Sequence, residues 1–153
     1  MSSLAPLLAS PVLGPVFALN GWTLIMQLVM YSTRIPEFQR LNLAGRNDMT
    51  KAEMEKAIPA SVRWKADNFN HLMEQPTNFY AVAIGLALLR RAGDEGVKWD
   101  TRLAWAYVLL RVVHSYVQCS SNTILTRFKV FSLSSAVLAA LTVRGGMAIA
   151  KGL

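Results

Sequence analysis

The amino-terminal part of the chain carries no charge until Arg34. Within this uncharged run, the most apolar part lies at about 12–31. A helix rises about 1.5 Å per residue and the hydrocarbon core of a bilayer is about 30 Å thick, so a helix over this part is long enough to cross a membrane. A cleaved signal peptide would carry basic residues ahead of a shorter apolar core. We therefore expect a retained first transmembrane span.

The composition agrees with a membrane protein. Of the 153 residues, 53% are hydrophobic and only 16% are charged, whereas soluble domains have about 25% charged residues. The length suits one compact unit, so we expect a single domain over residues 1–153. The single cysteine, Cys119, excludes an intrachain disulfide, and we expect it to serve in packing.

Three further apolar stretches predict three more spans, at about 68–89, 103–124 and 128–146. The last span is bounded by basic side chains long enough to reach the membrane surface. Four spans account for nearly the whole chain. The predicted fold is therefore all-α, an integral membrane bundle of four antiparallel helices with left-handed packing.

One long loop, at about 34–66, lies between the first two spans and holds seven of the 16 basic residues. Because Lys and Arg concentrate in cytoplasmic loops, we expect this loop in the cytoplasm and both termini outside. Anionic membrane lipids then account for the net charge of +7, and we expect no nucleic-acid partner. Within the loop, Thr50 and Glu53 have the spacing of a capping box and predict a short helix that ends before Pro59.

Polar side chains inside the predicted spans form two stripes at helical spacing. The stripe on the second span consists of Asp67, His71, Glu74 and Asn78, with Asn70 beside it, and the stripe on the third consists of Arg111, His114, Gln118 and Asn122. A charge at the centre of a bilayer costs at least about 2.5–3.5 kcal/mol, so it needs a partner, water or a ligand. The rise per residue places Glu74 and Gln118 at the same depth, facing each other. We expect both stripes to line one cavity that opens to the cytoplasm, with Asn122 and Arg127 at its mouth.

General membrane-protein chemistry offers two alternative roles for these polar residues. Asn, Gln, His and Ser side chains often join membrane helices by hydrogen bonds without any ligand. The two histidines, His71 and His114, also suggest the axial ligands of a haem. At about 1.5 Å per residue they lie about 4 Å and about 15 Å from the cytoplasmic edge, too far apart in depth for one haem. We therefore expect neither a haem nor a metal ion.

Two segments resemble the MAPEG family, the membrane-associated proteins in eicosanoid and glutathione metabolism. Residues 111–115 (RVVHS), followed by Asn122 and then by Arg127 and Phe128, are similar to the family's third-helix signature. Residues 65–76 (KADNFNHLMEQP) are similar to its second-helix motif, in which a basic residue, an Asn and a Glu precede a Pro. The resemblance covers essentially the whole chain and points to a bacterial-type member.

The resemblance implies a homotrimer in the bacterial inner membrane that binds glutathione between subunits, near the cytoplasmic face. Glu74 matches the family Glu, which suits the ammonium group of glutathione. Arg111 and His114 match the third-helix binding positions. Arg127 matches the Arg that stabilises the thiolate, so it is the catalytic candidate. The remaining binding candidates are Asn70, His71, Gln118 and Asn122.

Four places depart from the common family pattern, and the first is residues 67–69, where Asp-Asn-Phe stands in place of the His-x-Asn of many members. His71 stands where many members have Asn, Gln118 where Tyr or His is common, and Phe128 where some catalytic members have Ser. We expect an enzyme, a glutathione-dependent transferase or peroxidase that conjugates or reduces a lipophilic electrophile. The alternative is a non-enzymatic membrane scaffold or lipid-binding subunit with the same fold.

Overall fold

The computed structural model describes residues 10–43, 45–46, 48–90 and 94–152. Within these ranges all regular secondary structure is helical, which confirms the all-α fold class. The helices are α1 (Leu13–Arg40), α2 (Lys51–Ala57), α3 (Ala60–Glu74), α4 (Pro76–Leu89), α5 (Glu95–Ser120) and α6 (Ile124–Ala150).

Two helices, α1 and α6, are long and apolar enough to cross a membrane, judged by their length and composition. The second predicted span is divided between α3 and the 14-residue α4. The third lies in α5, which carries five charged residues. These two spans therefore stay predictions.

The outer surface of the helices is strongly apolar. Phe17 and Leu28 on α1 are 72% and 68% exposed, and Ile124 on α6 is 81% exposed. Soluble monomers rarely leave such side chains in contact with water over a wide area. This surface suits the hydrocarbon of a lipid bilayer.

The helices pack around a core that α1, α4, α5 and α6 share. Leu19, Phe79, Tyr107 and Leu141 are fully buried there. The rings of Phe79 and Tyr107 stack with centroids 4.5 Å apart, and the Tyr107 hydroxyl donates to Gln75. These contacts position α5 against the boundary between α3 and α4.

The boundary between α3 and α4 is a proline junction inside one helical segment, residues 60–89. Gln75 keeps a helical backbone (φ −68°, ψ −37°), and Pro76 opens α4. Proline has no N–H, so it cannot make the helical bond four residues back. The helical segment thus begins well before the predicted span, and His71 lies eleven residues beyond its first residue, Ala60.

The predicted capping box in the long loop is confirmed. The Thr50 hydroxyl accepts from the Glu53 N–H at 3.3 Å, and the Glu53 carboxylate accepts from the Thr50 N–H at 2.8 Å. These bonds stabilise the charged carboxylate and lower the pKa of Glu53 from its ordinary value. Helix α2 ends at Ala57, before Pro59, as the sequence predicts.

An ion-pair cluster joins α5 to α6 and to the end of α4. Asp100 is fully buried and accepts from Arg90 at 3.0 Å and from Arg144. Arg90 also pairs with Asp94 at 3.0 Å, and Arg144 donates to the Gly96 carbonyl at 3.1 Å. We call this group the Asp100 clamp. It lies near the amino-terminal end of α5 and was not predicted from the sequence.

Candidate functional site

A cavity of about 340 Å³ lies where α3, α5 and α6 meet, at the carboxy-terminal end of α5. We call it the histidine pocket, and its lining residues are His71, His114, Ile124, Arg127, Phe128 and Phe131. Three of them, the histidines and Arg127, were candidates from the sequence. The sequence analysis did not predict the apolar lining residues Ile124, Phe128 and Phe131. Their spacing places them on one face of α6, and this pattern could have indicated that they line a common surface.

The two histidines are in contact. Their ring centroids lie 4.8 Å apart with the planes at 16°, and the edge of Phe131 packs against His71 at 5.4 Å. The depth difference predicted from the sequence is therefore wrong, and so is the argument against a shared haem that rested on it. The error came from starting the helix at the membrane edge, whereas α3 begins at Ala60.

Arg111 is fully buried directly behind His71. Its Nη2 lies 2.7 Å from His71 Nδ1 and donates to the His71 carbonyl at 3.3 Å. Its Nε and Nη1 have no hydrogen-bond partner among the described residues. A buried guanidinium without an anion is costly, so this position favours an acceptor that comes from water or a ligand.

Asn122 fixes Arg127 at the rim of the pocket. Helix α5 ends at Ser120, so Asn122 lies in the turn before α6 and not on the helical stripe that the sequence predicted. Its φ is +50°, a left-handed conformation that Asn tolerates at helix ends, and its N–H bonds the Val117 carbonyl at 2.8 Å. Its side-chain oxygen accepts from Arg127 Nη1. Arg127 Nε is buried and has no partner in the described part of the chain.

Two further amides are buried on α3 and α5. Gln118 is 2% exposed, and its Oε1 has no partner among the described residues. Asn68 is fully buried, with both amide atoms equally without a described partner. The sequence pointed to Gln118 but missed Asn68, because it belongs to the stripe adjacent to the predicted one.

Glu74, the acidic candidate, does not line the histidine pocket. Glu74 and Asn70 are exposed on the surface of the chain, as are Asp67 and Asn78. The buried residues of α3 are Ala66, Asn68 and Leu72. The predicted contact of Glu74 with buried Gln118 is not formed within this chain.

The arrangement combines positive charge, imidazole and an apolar wall. Two guanidiniums, Arg111 and Arg127, keep N–H donors without described acceptors. Such donors suit an anionic atom, a carboxylate oxygen or a thiolate sulfur. The aromatic and aliphatic lining suits the hydrocarbon of a lipophilic molecule.

The apolar surface, the membrane-length helices and the buried cationic pocket define a membrane protein of the all-helical class. The family model of the MAPEG family matches residues 12–147, nearly the whole chain, and the protein belongs to this family. The family contains glutathione-dependent transferases and peroxidases as well as non-enzymatic members. No curated protein and no solved structure matches the chain significantly.

Proposed function

We propose that the protein is a membrane enzyme that uses glutathione to conjugate or reduce a lipophilic electrophile. This proposal rests on the position of Arg127. Its side chain is hydrogen-bonded to Asn122 and lines a pocket that has an apolar wall. The pocket thus offers one charged donor for a sulfur atom and an apolar surface for the second substrate. The reaction requires glutathione and the lipophilic electrophile to bind side by side in one site.

Arg127 would stabilise the reactive form of glutathione. A guanidinium beside a thiol favours the thiolate, which is the nucleophile. Nε of Arg127, which has no partner among the described residues, suits the thiolate, whereas Arg111 lies behind His71 and does not line the pocket. In conjugation the thiolate sulfur bonds to the electrophilic atom, and the leaving group departs with the electron pair of the bond that breaks. In reduction of a peroxide the thiolate attacks the O–O bond, the alkoxide leaves and takes up a proton, and a second glutathione converts the resulting sulfenic acid to glutathione disulfide and water.

The electrophile would enter from the bilayer. Ile124 and Phe128 line the pocket and are also 81% and 63% exposed on the outer surface of α6. An apolar molecule dissolved in the lipid would therefore contact only apolar side chains on its way to Arg127. This geometry favours a lipophilic substrate over a polar one.

Glutathione binding would be completed by a neighbouring subunit. Glu74 and Asn70 are exposed, and neither lines the histidine pocket of its own subunit. In the proposed homotrimer they would face the pocket of the next subunit, where Glu74 would pair with the ammonium group. We propose this assembly with four spans in the bacterial inner membrane, the long loop in the cytoplasm and both termini outside.

The test is a calorimetric titration of glutathione into the detergent-purified protein, followed by turnover with lipophilic electrophiles. Glu74→Gln should weaken binding, and Arg127→Ala should abolish turnover while size-exclusion chromatography shows an unchanged assembly. Glu95→Gln is the matched control, because Glu95 pairs with Lys98 on the exposed surface. Turnover that survives in Arg127→Ala would remove Arg127 from catalysis.

Absence of glutathione binding to the folded protein would remove the enzyme proposal. The non-enzymatic alternative, a lipid-binding subunit, would then be favoured by the same apolar wall of the pocket. Mass spectrometry of lipids that remain bound after purification would identify such a ligand.

A further inference from the structure

His71 has a defined proton arrangement because of its neighbour. Arg111 Nη2 lies 2.7 Å from His71 Nδ1. A guanidinium has only N–H donors and stays charged in proteins, so Nδ1 must be the acceptor and carries no proton. A neutral imidazole has one N–H, which is then on Nε2.

The geometry also fixes where this N–H is directed. The Nδ1 edge of His71 faces Arg111, which does not line the histidine pocket, whereas the His71 ring does. Nε2 lies on the other side of the ring from this contact and is not among the buried side-chain atoms without a partner, so its N–H is accessible from the pocket that His71 lines. Stacking on His114 and the edge contact with Phe131 hold the ring in this orientation.

We propose that Arg111 and His71 act as a dyad that presents one fixed Nε2–H donor to the histidine pocket, where it joins Arg127 in binding an anionic ligand atom. The choice of the glutathione thiolate as this atom rests on the proposed function. His71 is then a hydrogen-bond donor to the ligand, and it cannot serve as the base that removes the thiol proton. Arg111 is a positioning residue, because it acts on the ligand through His71.

The charges around His71 keep the imidazole neutral. Arg111 on α5 touches it, and Arg127 on α6 and His114 on α5 share its pocket. Two guanidiniums oppose the addition of a second proton, and no carboxylate among the described residues pairs with His71. The Nε2–H donor should therefore persist across neutral pH.

Nitrogen NMR tests this assignment without any ligand. The chain has only two histidines, so His71→Gln identifies the signals of His114, and the remaining imidazole signals of the unsubstituted protein belong to His71. Long-range proton–nitrogen spectra should show a protonated Nε2 and a bare Nδ1 from about pH 6 to about pH 8. Arg111→Lys retains a donor and should keep this pattern, whereas Arg111→Met should give a mixture of tautomers. An Nδ1–H tautomer in the Arg111 protein, or an imidazolium at about pH 6, would overturn the dyad.

Glutathione tests the ligand contact. Its addition should shift the Nε2–H resonance, and S-methylglutathione, which has no ionisable thiol, should shift it much less. His71→Gln can still accept from Arg111 and donate to the pocket, while His71→Leu can do neither. Only His71→Leu should lower the thiolate fraction of bound glutathione, by about tenfold at a fixed pH below the thiol pKa.

The two kinds of failure are distinguishable. Glutathione that binds without moving the Nε2–H resonance overturns the ligand contact and leaves the proposed function standing. Glutathione that does not bind at all overturns the proposed function and the thiolate contact together, whereas the tautomer spectra still decide the dyad.

Discussion

The imidazole rings of His71 and His114 lie parallel with centroids 4.8 Å apart, although 43 positions separate them in the chain. Their contact places Arg111, behind one ring, and Arg127, beside the pocket, around the same cavity. A cationic site is thus assembled from α3, α5 and α6 by the aromatic contacts among His71, His114 and Phe131. Substitutions of the groups that support this site should therefore affect turnover, whereas substitutions elsewhere in the fold should affect stability alone.

Asn122→Gly should lower turnover by at least about tenfold, equivalent to about 1.4 kcal/mol of transition-state stabilisation, because Arg127 loses its anchor. Glycine accepts the left-handed backbone, so unfolding in detergent should change little. Asn122→Ala should lose the same activity and also about 1–2 kcal/mol of stability, since alanine has the Cβ of Asn without the short polar side chain that makes φ +50° acceptable to Asn.

Asn42→Gly is the matched control for this prediction. Asn42 has the same left-handed conformation, φ +52°, at the end of α1, and it lines no described pocket. Its replacement should leave turnover unchanged. Equal losses of turnover at positions 42 and 122 would show that the Asn122 side chain has no specific effect on Arg127.

Asp100→Asn should reduce the free energy of unfolding by about 3–5 kcal/mol, because it leaves Arg90 and Arg144 without their shared buried anion. Chemical unfolding in detergent, followed by circular dichroism, measures the change. Glu95→Gln removes an exposed ion pair and should cost less than about 1 kcal/mol. Similar effects of the two substitutions would contradict the importance of burial at Asp100.

Gly96→Ala should destabilise the protein by about 1–3 kcal/mol, since a Cβ there would lie 2.6 Å from Cζ of Arg90. Arg90 has little freedom to move because it is bonded to both Asp94 and Asp100. Gly146→Ala adds the same methyl group to α6 where no atom lies within 4 Å, and it should be neutral or slightly stabilising. Differential scanning calorimetry should show a lower melting temperature for Gly96→Ala alone, and equal melting temperatures for the two variants would contradict the crowding at Gly96.

Helix α2 should lose protection in acid. The pKa of Glu53 is lowered in the folded protein by its bonds to Thr50, so its stabilisation is present above its ordinary value of 4.5 and is lost as the pH falls below it. Hydrogen exchange at the Glu53 and Met54 amides should therefore accelerate, relative to intrinsic rates, in acid. Glu53→Gln should remove most of this pH dependence, and an unchanged dependence in that variant would contradict the assignment.

Local patterns in the sequence were sufficient for the features that short segments determine. The capping box at Thr50 and the helical character of the chain are of this kind, because the interacting groups lie within a few residues. Local patterns could not predict the register of α3 against α5, because this register depends on where α3 begins and on the Pro76 junction. An error of a few residues in that register separated His71 from His114 and brought Glu74 to Gln118. The turn at Asn122 was missed because a polar residue at helical spacing looks the same whether the helix continues or ends.

The Asp100 clamp has a mechanical consequence for the histidine pocket. The clamp holds α5 and α6 together at one end of α5, and His114 lies 14 residues further along that helix. At about 1.5 Å per residue the separation is about 21 Å, so a rotation of about 5° about the clamp displaces the pocket end by about 2 Å. A change of a few degrees in the crossing angle of α5 and α6 at the clamp would therefore change the width of the histidine pocket between His114 and Phe131.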